Sequence, residues 1–283
     1  MAFNSINTNA GAVVALQALN RTNDQLDVTQ KRVSTGYRVA DARDDGGAFA
    51  VAQKVRGDIA GVTSANEQLG AAKGLLDTTL SGLNRVSDTM ATIRAVVVKL
   101  ADNNVQGALR TSYTEQYNAL RNQVGSFIND STYNGVSLLG VSGNETGQTT
   151  TPAASGITVI RNEVGGEIDI AAANTAAFDL QATFADAAAA TTYLTSPTGL
   201  AAVEQSVNSA LNTYGNSSKT VTNQIAFNKD KIDALESGLG ALIDADLAKE
   251  SARLQSLQIR QQLGATALSA ANSAPQFLLS LFR

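Results

Sequence analysis

Cysteine, histidine and tryptophan are all absent from these 283 residues, and only three prolines occur. Without cysteine there is no disulfide framework and no thiolate metal site. Without histidine the chain lacks the commonest general base, the commonest zinc ligand and the usual switch near neutral pH. Aromatic residues make up 5% of the sequence. That is too little for the aromatic bulk on which large compact cores rely, so the core is expected to be thin, as in long helices packed side by side. A basic stripe is also missing and the net charge is -4, which argues against nucleic-acid binding. No apolar run of roughly 18 or more residues is present to span a bilayer. The stretch Gln261 to Phe282 is uncharged, but Gln261, Gln262, Ser269, Asn272, Ser273, Pro275 and Gln276 make it too polar for lipid. Met1 to Asn20 has no basic n-region, and Asn4, Asn7, Asn9 and Gln17 interrupt any apolar segment, so it does not read as a secretory signal. A Gly-rich phosphate loop and a Ser nucleophile elbow are missing too. The chain is therefore not expected to be an enzyme or to hold a cofactor or metal.

What is present is organised by the prolines. Pro152, Pro197 and Pro275 leave residues 1–151 and 198–274 free of strong helix breakers. Between these arms lies a Gly/Thr/Asn-rich loop, Gly140 to Pro152. Two short β-prone runs follow, Ile157 to Ile160 and Glu167 to Ile170, around the turn signal Val164-Gly165-Gly166. In the first arm apolar residues alternate at spacings of three and four: Val62, Ala65, Leu69, Ala72, Leu76, Leu83, Val86, Met90, Ile93, Val97 and Leu100, with Thr79 as the one break. This is a heptad seam, and residues 62–100 would make a helix of roughly 60 Å. One apolar stripe on so long a helix requires a partner. The second arm offers Leu200, Val203, Val207, Ala210 and Tyr214, then Val221, Ile225, Ile232, Leu235, Leu239 and Leu242. A register slip of about one residue near Gly215 to Ser218 predicts a local unwinding of the supercoil. Tyr113, Tyr117, Leu120, Val124, Phe127 and Ile128 predict a shorter amphipathic helix that ends at Asn134-Gly135. Three helices around one seam suit a rod-shaped bundle.

The two ends differ from the rest. Residues 1–20 and 261–282 carry no charged side chain, yet both ends carry seams, Leu16, Leu19, Leu26 and Val33 at the front and Leu247, Leu254, Leu257 and Leu268 at the back. Charge is what normally keeps an exposed helix soluble. A seam without a charged outer face predicts a helix enclosed by other chains, disordered until then because its burial cannot offset backbone entropy of roughly 1–2 kcal/mol per residue.

Several blocks in a fixed order carry a family resemblance. They are Ser5 to Asn9, Arg32-Val-Ser-Thr-Gly36, Ala42 to Ala52, Ala65-Asn-Glu-Gln-Leu-Gly70, Phe127 to Leu139, Asp244 to Ser251, Ala270 to Gln276 and Leu278-Leu-Ser-Leu281. The chain resembles a bacterial flagellin over residues 1–140 and 198–283, in a minimal form without large outer domains. The fold implied is mainly α: a long antiparallel coiled-coil-like helical bundle with a small β-containing insertion and paired terminal helices. The inner-tube domain would comprise residues 1–42 and 241–283. The rod domain would comprise residues 43–140 and 198–240, with 141–197 as a hairpin and loop insertion that faces solvent. The function implied is that of a structural subunit that polymerises into the flagellar filament for swimming motility, with terminal helices that fold on assembly. A minor hook–filament junction or cap-like component of the same organelle is the alternative, and cellular abundance separates the two. Implied partners are further copies of the chain, sister flagellins, the export apparatus, an export chaperone, and junction and cap proteins, with no nucleic acid and no membrane insertion. The implied location is the extracellular flagellum.

On this reading the self-assembly residues are Leu16, Leu19, Leu26, Val33, Leu247, Leu254, Leu257 and Leu268. The rod seam is carried by Leu69, Leu76, Leu83, Met90, Ile93, Val97, Val207, Val221, Ile225, Ile232 and Leu235. Two departures from the family pattern stand out. Asp44-Asp-Gly-Gly-Ala-Phe49 replaces the usual Asp-Asp-Ala-Ala-Gly-Leu, still suited to a turn entering a helix. Ala91 to Val96 lacks the first Arg and the Glu of the segment that an innate immune receptor reads in many relatives, which implies weak stimulation. Asp44-Asp45 is expected to be a helix-entry turn. Asp244, Asp246 and Glu250 could bind a cation but are expected to make a charged contact with a neighbouring segment or form a solvated face. Arg43, Arg56, Arg85 and Arg94 are expected to lie on the surface or pair across subunits. Thr149 to Thr151 and Ser155 are glycan-compatible if exposed.

Overall fold

A computed structural model describes residues 9–140, 155–181 and 183–281, with side chains of the last helix described as far as residue 273. The loop residues 141–154, including Thr149 to Thr151, lie outside the described residues. In chain order the elements are α1 (Ala10–Thr35), α2 (Gly46–Leu100), α3 (Gly107–Asn129), β1 (Ile157–Ile160), β2 (Glu167–Ile170), a 3-10 turn (Thr175–Phe178), α4 (Ala187–Thr195), α5 (Leu200–Ile243) and α6 (Leu247–Leu281). They fall into two compact units, a core unit of residues 58–233 and a terminal unit of residues up to 57 with those from 234 onward. The sequence expectation drew these lines at 42/43 and 240/241. The difference gives the first turns of α2 and the last of α5 to the terminal unit.

The core unit is organised by the heptad seam of α2. Every expected position from Val62 to Leu100 is buried, none more than 3% exposed. Thr79, the one polar residue in the series, is buried too, because its hydroxyl donates to the Leu75 carbonyl at 2.8 Å and needs no other partner. From α5, Leu200, Val203, Val207, Tyr214 and Val221 are buried and Ile225 packs against the same cluster, so the two seams share one core. They run antiparallel, since Arg94 pairs with Glu204 near one end and Asn66 accepts from Asn228 at 3.0 Å near the other. Arg94 therefore has its partner within the chain. α5 is one continuous helix through Gly215 to Ser218, where the unwinding was expected, and Ser217 and Ser218 are both half-buried there.

α3 supplies the third strand of packing, with Tyr117, Val124 and Ile128 buried. It ends at Asn129, five residues before the expected Asn134-Gly135 stop. That dipeptide instead makes a separate tight turn, φ 50 at Asn134 and 77 at Gly135, closed by the Tyr133–Val136 bridge. Two positive φ values define a type I′ turn, which Asn-Gly favours. Gly82 of α2 permits close approach here. A Cβ on it would lie 1.8 Å from Ser131 Oγ and 3.0 Å from the Phe127 carbonyl oxygen.

The two short strands form an antiparallel hairpin with Ile157 opposite Ile170, as expected, and Gly165 supplies the positive φ of its turn. The described residues from Ile170 onward correct the expectation that the insertion faces solvent. Ile170, Phe178, Leu180, Phe184, Ala190 and Tyr193 are all buried in the same core as α2, α3 and α5. Tyr117 meets Phe184 edge-on at 4.9 Å, and Phe184 meets Tyr193 at 5.4 Å. The Tyr117 hydroxyl donates to the Gln181 carbonyl at 2.6 Å, and burial raises its phenol well above the ordinary range. The Tyr214 hydroxyl donates to the Ala171 carbonyl at 3.2 Å and is pushed up to about 12 by burial. Tyr117, Phe178, Phe184, Tyr193 and Tyr214 are thus buried where the insertion closes over the bundle, a tertiary role with no signature in local spacing.

Candidate self-assembly surface

In the terminal unit the sequence sets the limits of both long helices. Asn9 caps α1, its side chain accepting from Ala12 N at 3.1 Å, and Gly36 ends it in the left-handed region with φ 74. At the start of α6, Asp246 accepts from Lys249 N at 3.0 Å and Glu250 places negative charge in the first turn. α1 and α6 then pair antiparallel. Asn9 Nδ2 donates to the Ala271 carbonyl at 2.8 Å, Gln261 Nε2 to Asn23 Oδ1 at 2.9 Å, and Arg32 to Glu250 at 3.2 Å.

The facing residues repeat at spacings of three and four. On α1 they are Ala12, Ala15, Leu19, Thr22, Leu26, Thr29 and Val33, and on α6 Glu250, Leu254, Leu257, Gln261, Gly264, Leu268 and Ala271. All are half-buried or buried. Six of the eight expected assembly residues, Leu19, Leu26, Val33, Leu254, Leu257 and Leu268, lie in this seam within the chain. Leu16 and Leu247 do not, at 46% and 49% exposure. Leu16 sits one residue past Ala15, turned roughly 100° out of the stripe, and Leu247 lies beyond the end of its partner helix. The pairing is shallow. Leu257 is the one apolar residue of the seam that is fully covered, beside the polar Thr29 and Glu250.

At the root of the pair the α1–α2 loop and the α5–α6 junction form a clasp. Tyr37 bridges Asp244, Ala245 N donates to the Gly36 carbonyl at 2.9 Å, and Arg38 N and Val39 N both donate to the Ile243 carbonyl. Beneath it Val39, Ala52 and Ile243 form a small buried core with Ala48, Phe49, Leu239 and Leu242. Lys31 reaches Asp41 and Asp44 at 2.9 Å each, and Asp44 also accepts from Ala40 N and Asp41 N. The Lys31 hydrogen bonds hold both carboxyls below the usual range and raise the lysine. Asp45 caps α2 through Ala48 N at 3.0 Å. Asp44-Asp45 is thus the expected helix-entry turn. Arg43 lies 3.6 Å from Asp41, and Arg56 stands over the Tyr37 ring at 5.8 Å.

The outer faces are the unusual part. Val13, Val14 and Val28 on α1 and Ile259 and Leu263 on α6 all point away from the seam, and Val14 and Leu263 are 67% and 62% exposed. The sequence reading missed these five. Extending the three-and-four spacing back to Ala12 and forward to Gln261 would have shown them on the opposite face. No group of three or more Asp and Glu side chains among the described residues is placed to hold a metal.

Family models for the bacterial flagellin N-terminal helical region and the bacterial flagellin C-terminal helical region match residues 6–146 and 200–282. The chain belongs to the bacterial flagellin family. This flagellin is 35% identical to flagellin FljK of Caulobacter vibrioides over 288 residues, covering all of both chains. It is 32% identical to the flagellin of Brucella melitensis, covering 99% of each. A crystal structure of Bacillus cereus flagellin aligns over 66% of this chain and 94% of its own at 18% identity, with a TM-score of 0.35. This flagellin is a structural subunit of the flagellar filament that polymerises with copies of itself, and it is not an enzyme. Nothing in these relationships favours a junction or cap protein. No helix among the described residues is long and apolar enough to cross a membrane.

Proposed function

We propose that the α1–α6 pair is the element through which copies of this flagellin join, and that its folding is completed by joining. The supporting observation is the row of outward apolar side chains on two helices whose own pairing covers a single leucine completely. Ordering the 26 residues of α1 alone costs on the order of tens of kcal/mol in backbone entropy. One covered leucine and several half-covered ones, at about 1.5–3 kcal/mol for each full burial, do not offset that. Neighbours that cover Val13, Val14, Leu16, Val28, Leu247, Ile259 and Leu263 supply the difference. Six of the expected assembly residues then act by holding the pair together, and Leu16 and Leu247 by meeting neighbours. Assembly and final folding become one event, and contacts that do not close on themselves propagate a filament.

The chain reaches the extracellular filament, on this reading, through the flagellar export apparatus with an export chaperone. Junction and cap proteins and sister flagellins meet the same terminal surface. A cysteine-free chain with a shallowly paired terminal unit suits transport in an unfolded state. The test is circular dichroism and limited proteolysis of purified monomer before and after seeding, with electron microscopy of the product. The expected result is protease-sensitive ends in monomer that become protected helix in filaments. A monomer that is fully protected and never polymerises would sink the reading.

A further inference from the structure

The α1–α6 seam repeats itself, and that creates a problem of register. Leu19, Leu26 and Val33 recur every seven residues along α1. A slide of α6 by one heptad that brings Leu257 opposite Leu19 would replace the native Leu19–Gly264 layer with leucine on leucine. Apolar packing alone does not reject that slide. In a filament the problem is compounded, because many copies of each helix are crowded together.

Two polar side-chain pairs cross the seam, Arg32–Glu250 at its root and Asn23–Gln261 near its middle. Glu250 takes a heptad position and is 8% exposed, and its Oε2 atom is buried with no hydrogen-bond partner. A half-satisfied buried carboxylate is a poor source of stability. Its value lies in what it forbids. With Leu257 opposite Leu19, Glu250 would face Leu26 and Gln261 would face Ala15. With the opposite slide, Ala271 would face Leu19, Leu268 would face Thr22, and Arg32 would lose its carboxylate. Each slide strands a charge that the native register pairs.

We propose that Arg32–Glu250 and Asn23–Gln261 are register-determining pairs, which select one alignment of α1 with α6 in every subunit. This rests on the α1–α6 pair being the assembled form. The competing explanation is that the root clasp fixes the alignment without help.

Engineered cysteines read the alignment directly, because the chain has none of its own. A Cβ built on Gly264 lies 3.8 Å from the Leu19 Cβ, the separation of a relaxed disulfide. Leu19→Cys with Gly264→Cys therefore reports the native register. Leu19→Cys with Leu257→Cys, and Leu19→Cys with Ala271→Cys, report slides of one heptad in each direction. Filaments of each double-cysteine chain are oxidised, and intrachain and interchain products are separated on non-reducing gels. In the native seam, cross-links are expected at the first pair alone. With Arg32→Met, Glu250→Met, Asn23→Leu and Gln261→Leu added, the slipped products are expected to rise at least tenfold. Cross-linking confined to the native pair in that apolar seam would overturn the proposal in favour of the clasp.

The reversed pair Arg32→Glu with Glu250→Arg keeps the attraction and is expected to keep the single register. Slipped products from it at the level of the apolar seam would also overturn the proposal, and this holds even where the apolar variant does not assemble. Native-seam filaments that never form the Leu19–Gly264 cross-link would instead sink the assembly reading itself.

Discussion

The two units of this flagellin treat the same heptad pattern in opposite ways. In the core unit it produces closure. Of the 35 buried apolar residues among those described, 31 lie there, including every expected α2 position from Val62 to Leu100. In the terminal unit it produces a shallow pair in which Leu257 is the one buried apolar residue among those described, while Val39, Ala52 and Ile243 are buried apart from it, beneath the clasp. The periodicity is equally regular in both. What differs is the number of layers around it, since the core seam is covered by α3, α5 and the insertion, whereas the terminal seam has one partner helix. A stripe on a helix states that burial is required and leaves open whether the cover comes from the same chain.

The strongest way to break this comparison is Leu257→Asp. It places a charge at the one covered apolar site of the terminal seam, so filament formation should fall below detection by electron microscopy. The monomer's core-unit hydrogen-exchange protection should stay unchanged. Normal filaments would mean that the pair is not the interface. Next comes Leu83→Ala, a cavity in a completely buried seam. It should cost about 2–5 kcal/mol in denaturant unfolding of the monomer, while Leu26→Ala should leave that monomer transition where it was. An equal loss from both would erase the distinction between the units.

A smaller effect is expected from Gly82→Ala, whose new Cβ would collide with Ser131 Oγ and press on the Phe127 carbonyl. A loss of about 1–3 kcal/mol in the same transition would be in line with overpacking. Smallest is the acid response of the clasp. Because Lys31 holds Asp41 and Asp44 below their ordinary carboxyl range, their contribution is present above the unfolded values near 4 and disappears as pH falls through the lower folded values. Amide protection factors in residues 36–45, taken relative to the intrinsic exchange rate at each pH, should therefore fall as the pH drops below about 4, and Asp44→Asn should show part of that loss already at neutral pH. Protection factors independent of pH across that range would remove the clasp from the account.

Much of the fold was legible because its signals are local. The α2 seam, the β1–β2 hairpin and the Asp44-Asp45 helix entry all follow from spacing and turn chemistry within a few residues. The misses share a different cause. α3 stops at Asn129 although the Asn134-Gly135 signal lies further on, because the type I′ turn closes a bridge of its own rather than capping a helix. Phe178, Phe184 and Tyr193 sit in an alanine-rich insertion that looks like surface, and only packing against residues far away in sequence on α2, α3 and α5, Tyr117 among them, makes them core. In the α1–α6 pair the leucines identify the seam, but leucine count does not tell which helix face meets the partner helix and which remains open. Ala12, Ala15 and Gly264 settle that question, and small residues are easily passed over as filler.

Leu257 has one further consequence, and it concerns errors during growth. On the proposed assembly, a pair with one buried leucine and three polar contacts along its length would open readily, so a copy that arrives misaligned would not be trapped. It would depart before the next arrival covers its outer valines, whereas a correctly seated copy would be covered and retained. Shallow pairing in the lone chain would then act as a filter on the growing tip, trading the strength of each first encounter for the fidelity of the finished polymer.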